Sequence, residues 1–146
     1  FYWNEKLYTH YIYTTMVSTS NRFYENIFEN YQDIFVQIRD FLTSHNLYYG
    51  DNIRKIEHNY ISMIIMCIVR ICRPDSTYSG LRLFKKLYSI SNDPIVRRNL
   101  KFYRPKGNES KIFPILINYY LIPFIAVLGK LKAKKRYGSI ILQKKV

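Results

Sequence analysis

Residues 60–69 read YISMIIMCIV, and this nearly unbroken apolar stretch decides how the chain folds. Ile53 and Ile56 begin a helical spacing before this stretch. Arg70 follows it, where the C-terminal end of a helix favours a cation, and Pro74 then marks the end of the helix. Ten apolar residues are too few to cross a bilayer. The stretch therefore predicts a buried core helix from about residue 51 to residue 72.

The residues before this core helix predict a second, amphipathic helix. Apolar side chains recur at every third or fourth position through residues 20–42, and the polar cluster at residues 43–46 ends the pattern. Leu81, Phe84, Leu87 and Tyr88 predict a third, short helix further along. Residues 1–19 show no clear period, and we interpret them as an N-terminal extension.

The pattern changes beyond residue 91. Residues 95–104 alternate in part, and residues 111–120 are rich in β-branched and aromatic side chains. Residues 105–108, Pro-Lys-Gly-Asn, have the composition of a turn. This predicts a β-hairpin with Pro114 at an edge or bulge, followed by a closing strand at residues 139–143.

The expected fold class is therefore α+β, with two or three helices in the first half packed on a small antiparallel sheet in the second. We expect residues 20–146 to form a single domain. Its first part, residues 20–90, is mainly helical and neutral, and its second part, residues 91–146, holds the hairpin and a basic C-terminal segment.

Net charge is distributed very unevenly along the chain. The formal charge is +13, yet residues 1–73 carry seven Lys and Arg against seven Asp and Glu. Residues 74–146 carry sixteen against three. Such asymmetry indicates a polyanionic partner on one side of the protein.

Nucleic acid is the first candidate partner, because two segments mix cations with aromatic residues that can stack on unpaired bases. The absence of an RNA-recognition motif or KH loop favours binding to the shape and backbone of structured RNA. The predicted RNA-binding residues are Arg97, Arg98, Lys101, Tyr103, Arg104, Lys106, Lys111, Lys130, Lys132, Lys134, Lys135, Arg136, Tyr137, Lys144 and Lys145.

A membrane is the second candidate. Residues 112–129 form eighteen uncharged positions followed by a basic flank, which is just long enough for a short span. Pro114, Pro123 and Asn118 oppose a regular helix there, and a buried strand followed by a short core helix is the common alternative.

The sequence gives no support to catalysis or to a cofactor. No glycine-rich phosphate loop, HExxH motif or Ser-His-Asp candidate is present. Cys67 and Cys72 would lie about 140° apart around a helix, which disfavours a disulfide or a shared metal. We expect no enzyme activity, no metal, no cofactor and no small-molecule substrate.

Three short segments resemble the bacterial-type small-subunit ribosomal protein eight family. Residues 33–39, DIFVQIR, resemble the family's opening helix; residues 59–68 resemble its second helix; and residues 100–103, LKFY, resemble a strand before a basic turn. The family's S-T-S-x-G loop is missing, and residues 138–141, GSII, stand where it ends G-G-E-[IV]-[IL]. None of its functional residues can therefore be carried over.

The amino-acid composition indicates the kind of genome that encodes the chain. Twenty Ile, fifteen Tyr and eleven Asn stand beside two Ala, a bias toward AT-rich codons that is typical of organelle genomes. The sequence thus predicts a structural constituent of a mitochondrial ribosome, in the matrix, that contacts rRNA and neighbouring ribosomal proteins. The alternative is a small accessory subunit of an inner-membrane respiratory complex that spans the membrane at residues 112–129.

Overall fold

A computed structural model describes residues 24–143 of the chain. These residues form six α-helices and no β-strand. The helices are α1 (Ile27–Ser44), α2 (Gly50–Ile71), α3 (Gly80–Asn92), α4 (Pro94–Asn99), α5 (Ile112–Asn118) and α6 (Ile122–Gln143), and a 3₁₀ helix, Leu100–Phe102, follows α4. The predicted α+β class is therefore wrong over the described range. The predicted extension at residues 1–19 lies outside that range.

Helix α2 is the centre of the core and packs against α1, α4 and α6. Ile61, Ile64 and Ile68 lie on its fully buried side. Helix α6 in turn packs against α3 and α5, so that the buried side chains of all six helices form one cluster. The core helix predicted from about residue 51 to residue 72 is confirmed, with bounds that differ by one or two residues.

Helix α1 confirms the predicted amphipathic helix, with Ile27, Phe28 and Phe35 buried, but it begins at Ile27 and not near residue 20. Its end is a left-handed cap: Asn46 has a φ of +55°, and the N–H of Leu47 donates to the carbonyl of Leu42 at 2.8 Å. This bond satisfies a carbonyl that the helix leaves open. The polar cluster at residues 43–46 therefore ends the helix as predicted.

The first predicted strand, residues 95–104, is helical instead. The Asp93 carboxylate accepts hydrogen bonds from the N–H groups of Ile95 (2.9 Å) and Val96 (3.0 Å), and Pro94 occupies the first turn of α4. Asp at the cap and Pro just inside the helix are start signals. The buried side chains of Val96, Asn99 and Tyr103 keep helical spacing, which overrides the partial alternation.

The second predicted strand, at residues 111–120, and the closing strand, at residues 139–143, are also wrong. The first is α5, which buries Phe113 and Ile117 four residues apart, and the second is the end of α6. Pro114 lies in the first turn of α5, where its missing N–H leaves no bond unmade. The predicted hairpin turn at residues 105–108 is also wrong in its role: the turn covers residues 106–109, where the N–H of Glu109 donates to the carbonyl of Lys106 at 3.0 Å, and it connects helical segments instead of strands.

The turn between α5 and α6 contains a strained tyrosine. Tyr120 has a φ of +54°, and the N–H of Leu121 donates to the carbonyl of Leu116 at 2.9 Å. Arg97 secures this turn, because its guanidinium donates to the carbonyls of Ile117 (3.2 Å) and Asn118 (3.0 Å) and lies 4.5 Å from the Tyr120 ring centroid. The uncharged run at residues 112–129 is consequently divided between two helices.

Candidate functional site

A basic groove of about 780 Å³ lies between α2, the loop at residues 103–111 and α6. Helix α2 supplies an apolar floor, the loop supplies a polar wall, and α6 supplies three cations. The lining residues are Ser62, Ile65, Met66 and Val69 from α2, Tyr103, Asn108, Glu109 and Ser110 from the loop, and Lys132, Lys135 and Arg136 from α6.

The three cations of the groove share one side of α6, because Lys132, Lys135 and Arg136 are spaced at i, i+3 and i+4. The Lys132 ammonium lies 5.3 Å from the Phe113 ring centroid, and an Nη of Arg136 lies 3.0 Å from the Met66 sulfur. None of the three pairs with a carboxylate in the described part of the chain. Their positive charge therefore remains available to a ligand.

Glu109 holds the polar wall of the groove in place. Its carboxylate accepts from the N–H of Lys106 at 2.8 Å, from the Ser62 hydroxyl at 3.1 Å and from Nε2 of His58 at 3.1 Å. The hydrogen bond from the Lys106 N–H, followed by those from His58 and Ser62, lowers the pKa of the Glu109 carboxyl. One carboxylate thus ties the loop to α2.

The geometry also fixes the tautomer of His58. Its Nδ1 accepts a hydrogen bond from the N–H of Arg104 at 3.3 Å, so Nε2 carries the proton that is donated to Glu109. The His58 ring stacks on the Tyr103 ring with centroids 4.8 Å apart. Burying Tyr103 raises the pKa of its hydroxyl.

The two basic segments predicted from the sequence meet at the groove. Tyr103 comes from the first segment, and Lys132, Lys135 and Arg136 come from the second. The remaining exposed cations do not line it: Arg98, Lys101, Arg104, Lys106, Lys111, Lys130 and Lys134. Lys144 and Lys145 lie outside the described residues.

Three of the predicted RNA-binding residues have partners within the fold: Tyr103, Tyr137 and Arg97. Tyr103 and Tyr137 are only 4% and 2% exposed, so neither ring presents a face on which a base could stack. The Arg73 guanidinium lies 4.4 Å from the Tyr137 ring centroid. Arg97 is occupied by the carbonyls at the end of α5.

An apolar face lies on α5 and α6 beside the groove. Two sets of three large apolar side chains are spaced at i, i+3 and i+7, and each side chain is at least 54% exposed. The apolar face consists of Ile112 and Ile115 on α5, Tyr119 directly after α5, and Phe124, Val127 and Leu131 on α6. Its flanks are cationic: Lys111, Lys130 and Lys134 are exposed, and residues 110–146 contain no Asp or Glu.

Sequence reasoning missed the floor and wall of the groove, including Ser62 and Glu109, and it missed His58, which hydrogen-bonds to Glu109 from behind the wall. One signal was present, since Glu109 is the only acidic residue after Asp93. A lone carboxylate in a basic segment indicates a structural ion pair or hydrogen-bond centre, which is what Glu109 forms. The partners on α2 could not be predicted, because about fifty residues separate them from Glu109 along the chain.

Between residues 24 and 143, no cluster of His, Cys, Asp and Glu has a geometry that could hold a metal ion. Over the same range, no helix combines the length and the apolar character needed to cross a membrane.

Comparison with known proteins gave no family and no relative. No protein-family model matches the chain, and neither a curated protein nor a solved structure matches it. The resemblance to the ribosomal protein eight family therefore stays a prediction.

Proposed function

We propose that this protein docks on an anionic membrane surface through its apolar face and the lysines that flank it. The observation that carries the proposal is the exposure of Phe124, Val127 and Leu131 along one side of a helix that also carries cations. The exposed side of α6 has the apolar residues and bordering Lys of a helix that lies in the membrane interface, while its opposite side is buried in the protein core instead of being polar.

The energies are sufficient for reversible binding. Full burial of a Phe, Val or Leu side chain contributes about 1.5–3 kcal/mol. A lysine near an anionic leaflet contributes about 1 kcal/mol. The six apolar side chains are 54–68% exposed, so docking makes roughly that share of their burial free energy available, and the three flanking lysines add to it.

Charge argues against two other occupants of this face. A second copy of the chain would bring Lys111, Lys130 and Lys134 against the same lysines, with no acidic residue in residues 110–146 to compensate. A nucleic acid would satisfy these cations but would leave the apolar side chains in water or against phosphates. A lipid surface satisfies both.

Vesicle co-sedimentation tests the proposal. We expect the protein to bind phosphatidylcholine vesicles that contain phosphatidylglycerol and to bind pure phosphatidylcholine more weakly. The double variant Phe124→Ser/Leu131→Ser should lose about tenfold or more in affinity. The matched control is Phe41→Ser on α1, where the side chain is 58% exposed and lies outside the apolar face.

Two results would overturn the proposal: equal binding by the double variant and the wild type, or no binding of the wild type to anionic vesicles. Far-UV circular dichroism of each variant shows whether the helices are intact. A loss of binding together with unchanged spectra supports docking through the apolar face.

The second candidate function is the one that the sequence predicted: a structural, non-catalytic component of a mitochondrial ribosome that binds rRNA. One observation favours it, namely the three cations of the second basic segment, Lys132, Lys135 and Arg136, which line the groove and have no carboxylate partner in the described part of the chain. Its test is affinity for structured RNA, which should fall steeply with added salt. Charge reversal at Lys134, Lys135 and Arg136 should weaken that affinity, whereas Phe124→Ser/Leu131→Ser should not.

A further inference from the structure

The basic groove has an uncharged half and a cationic half, and each half would contact a different part of one ligand. The floor carries no charge and presents mainly Met66, since Ile65 and Val69 beside it are only 6% and 4% exposed. Lys132, Lys135 and Arg136 form a cationic side. An inorganic anion would use only the cations, and a neutral hydrocarbon would use only the floor. A ligand that fills both halves carries an anionic group and an apolar chain.

The balance of charge indicates which anion fits. Three cations and the single carboxylate of Glu109 give the lining a net charge of +2. A phosphomonoester carries about −1.5 to −2 near neutral pH. A phosphodiester or a carboxylate carries a single negative charge and would leave one positive charge uncompensated.

The groove also lies where a lipid can reach it. Lys135 lines the groove and follows Leu131 of the apolar face by four residues, so the two side chains are neighbours on the surface of α6. With the apolar face against a bilayer, the cationic side of the groove is at the level of the head groups. A lipid can then enter without crossing bulk water.

From these observations we propose that the groove binds one lipid phosphomonoester, with its phosphate among Lys132, Lys135 and Arg136 and the start of an acyl chain against the half-buried Met66. The volume of about 780 Å³ is in the range of small-molecule sites and accommodates a head group with part of a chain. The inference rests on the proposed docking for its source of lipid, but the groove is tested separately from the apolar face.

The first experiment is calorimetric titration of the full chain with a short-chain phosphatidate, dihexanoyl phosphatidic acid, below its aggregation concentration. We expect saturable binding with one site per chain. Inorganic phosphate and dihexanoyl phosphatidylcholine are the comparison ligands, one lacking the chains and the other lacking the phosphomonoester. Each should bind about tenfold or more weakly.

Variants assign the binding to the groove. Lys132→Gln/Lys135→Gln/Arg136→Gln should weaken phosphatidate binding by about tenfold or more. The matched control for net charge is Lys55→Gln/Lys85→Gln/Lys101→Gln, three exposed lysines outside the groove, which should bind as the wild type does. Met66→Gln, a change in the half-buried floor, should weaken binding of phosphatidate but not of inorganic phosphate.

The outcomes separate this inference from the proposed function. Phe124→Ser/Leu131→Ser should lose vesicle binding and keep phosphatidate binding. Wild-type protein that binds anionic vesicles but not phosphatidate would overturn the inference and leave the docking in place. Three results would each overturn the lipid assignment. The first is equal affinity for phosphatidate and inorganic phosphate, and the second is unchanged phosphatidate affinity in Lys132→Gln/Lys135→Gln/Arg136→Gln. The third is displacement of phosphatidate by a short RNA that binds at one site per chain.

Discussion

Gly129 of α6 lies directly against Cys72 at the end of α2. A Cβ atom placed on Gly129 would stand 2.5 Å from the Cys72 sulfur, which is closer than real Cβ atoms approach, and a tight 3.1 Å from the Cys72 Cβ. Cys72 is itself only 2% exposed, so its side chain has little room to move. The close packing of α2 on α6, which supports both the groove and the apolar face, therefore depends on glycine at this position.

Gly129→Ala should destabilise the protein. Alanine favours helix formation by about 1 kcal/mol relative to glycine. Overpacking of a filled core typically costs 1–3 kcal/mol, roughly, and we expect this to dominate. Urea unfolding followed by circular dichroism measures the difference.

The control for Gly129→Ala is Gly138→Ala on the same helix. The nearest atom to a Cβ there is a Lys134 methylene carbon at 3.9 Å, so the substitution should be neutral or stabilising. If Gly129→Ala also stabilises, the close approach has no energetic consequence. Cys72→Ala removes the sulfur and should recover part of the loss in the double variant, as coupled neighbours do.

Arg97→Ala should lower the free energy of unfolding by about 1–3 kcal/mol, because the guanidinium binds two carbonyls at the end of α5 and covers the Tyr120 ring. Arg97→Lys keeps the charge but not the planar pair of donors, so we expect an intermediate value. Urea unfolding provides both values. A fully stable Arg97→Ala protein would contradict this structural role.

Both thiols should be unreactive in the folded protein. Burial raises the pKa of Cys67 to about 12 and that of Cys72 to about 12, from an ordinary value of 9.0. At pH 8 we expect dithionitrobenzoate to react with neither thiol until denaturant is added. A rapid reaction of one thiol under native conditions would contradict the prediction, because the core around that thiol would then have to open.

The same raised thiol pKa values predict alkaline sensitivity. The folded state binds these protons more tightly than the unfolded state does. Their contribution to stability is therefore complete below pH 9 and is lost as the pH rises toward 12. Cys67→Ala/Cys72→Ala should show a smaller loss of stability between pH 8 and pH 10 than the wild type, as measured by urea unfolding at each pH.

The lowered pKa of Glu109 predicts that the protein loses stability in acid. Its pKa lies below the ordinary value of 4.5, so its contribution to stability is present above that pH and is lost as the pH falls through the lowered pKa. Glu109→Gln should remove this part of the pH dependence. The control is Asp40→Asn, whose carboxylate is 67% exposed; an equal effect of both changes would mean that Glu109 has no special role.

The helices of the first half could be predicted because their apolar residues repeat at helical intervals over long stretches. The errors in the second half come from giving β-branched composition more weight than spacing. Val96, Asn99 and Tyr103 were already at helical intervals, and Asp93 followed by Pro94 was a helix start signal. Short helices such as α4 and α5 offer few repeats, so composition misleads most easily there.

The cations of the groove could be predicted as a class from the uneven charge, but their arrangement could not. Lys132, Lys135 and Arg136 share a side of α6 only because the segment is a helix. The groove also needs α2, which lies more than sixty residues earlier in the chain. The exposure of Phe124 and Leu131 could not be predicted either, because the sequence does not show whether a neighbouring element covers an apolar residue.

The left-handed torsion of Tyr120 limits the length of uninterrupted helix in the most apolar part of this chain. Residues 112–129 carry no charge, but the turn at Tyr120 divides them between α5 and the first eight residues of α6. Pro123 would weaken a continuous helix even without that turn, because it has no N–H to donate to the carbonyl of Tyr119. Each uncharged helical stretch is therefore less than half as long as the roughly 20 residues of a bilayer span.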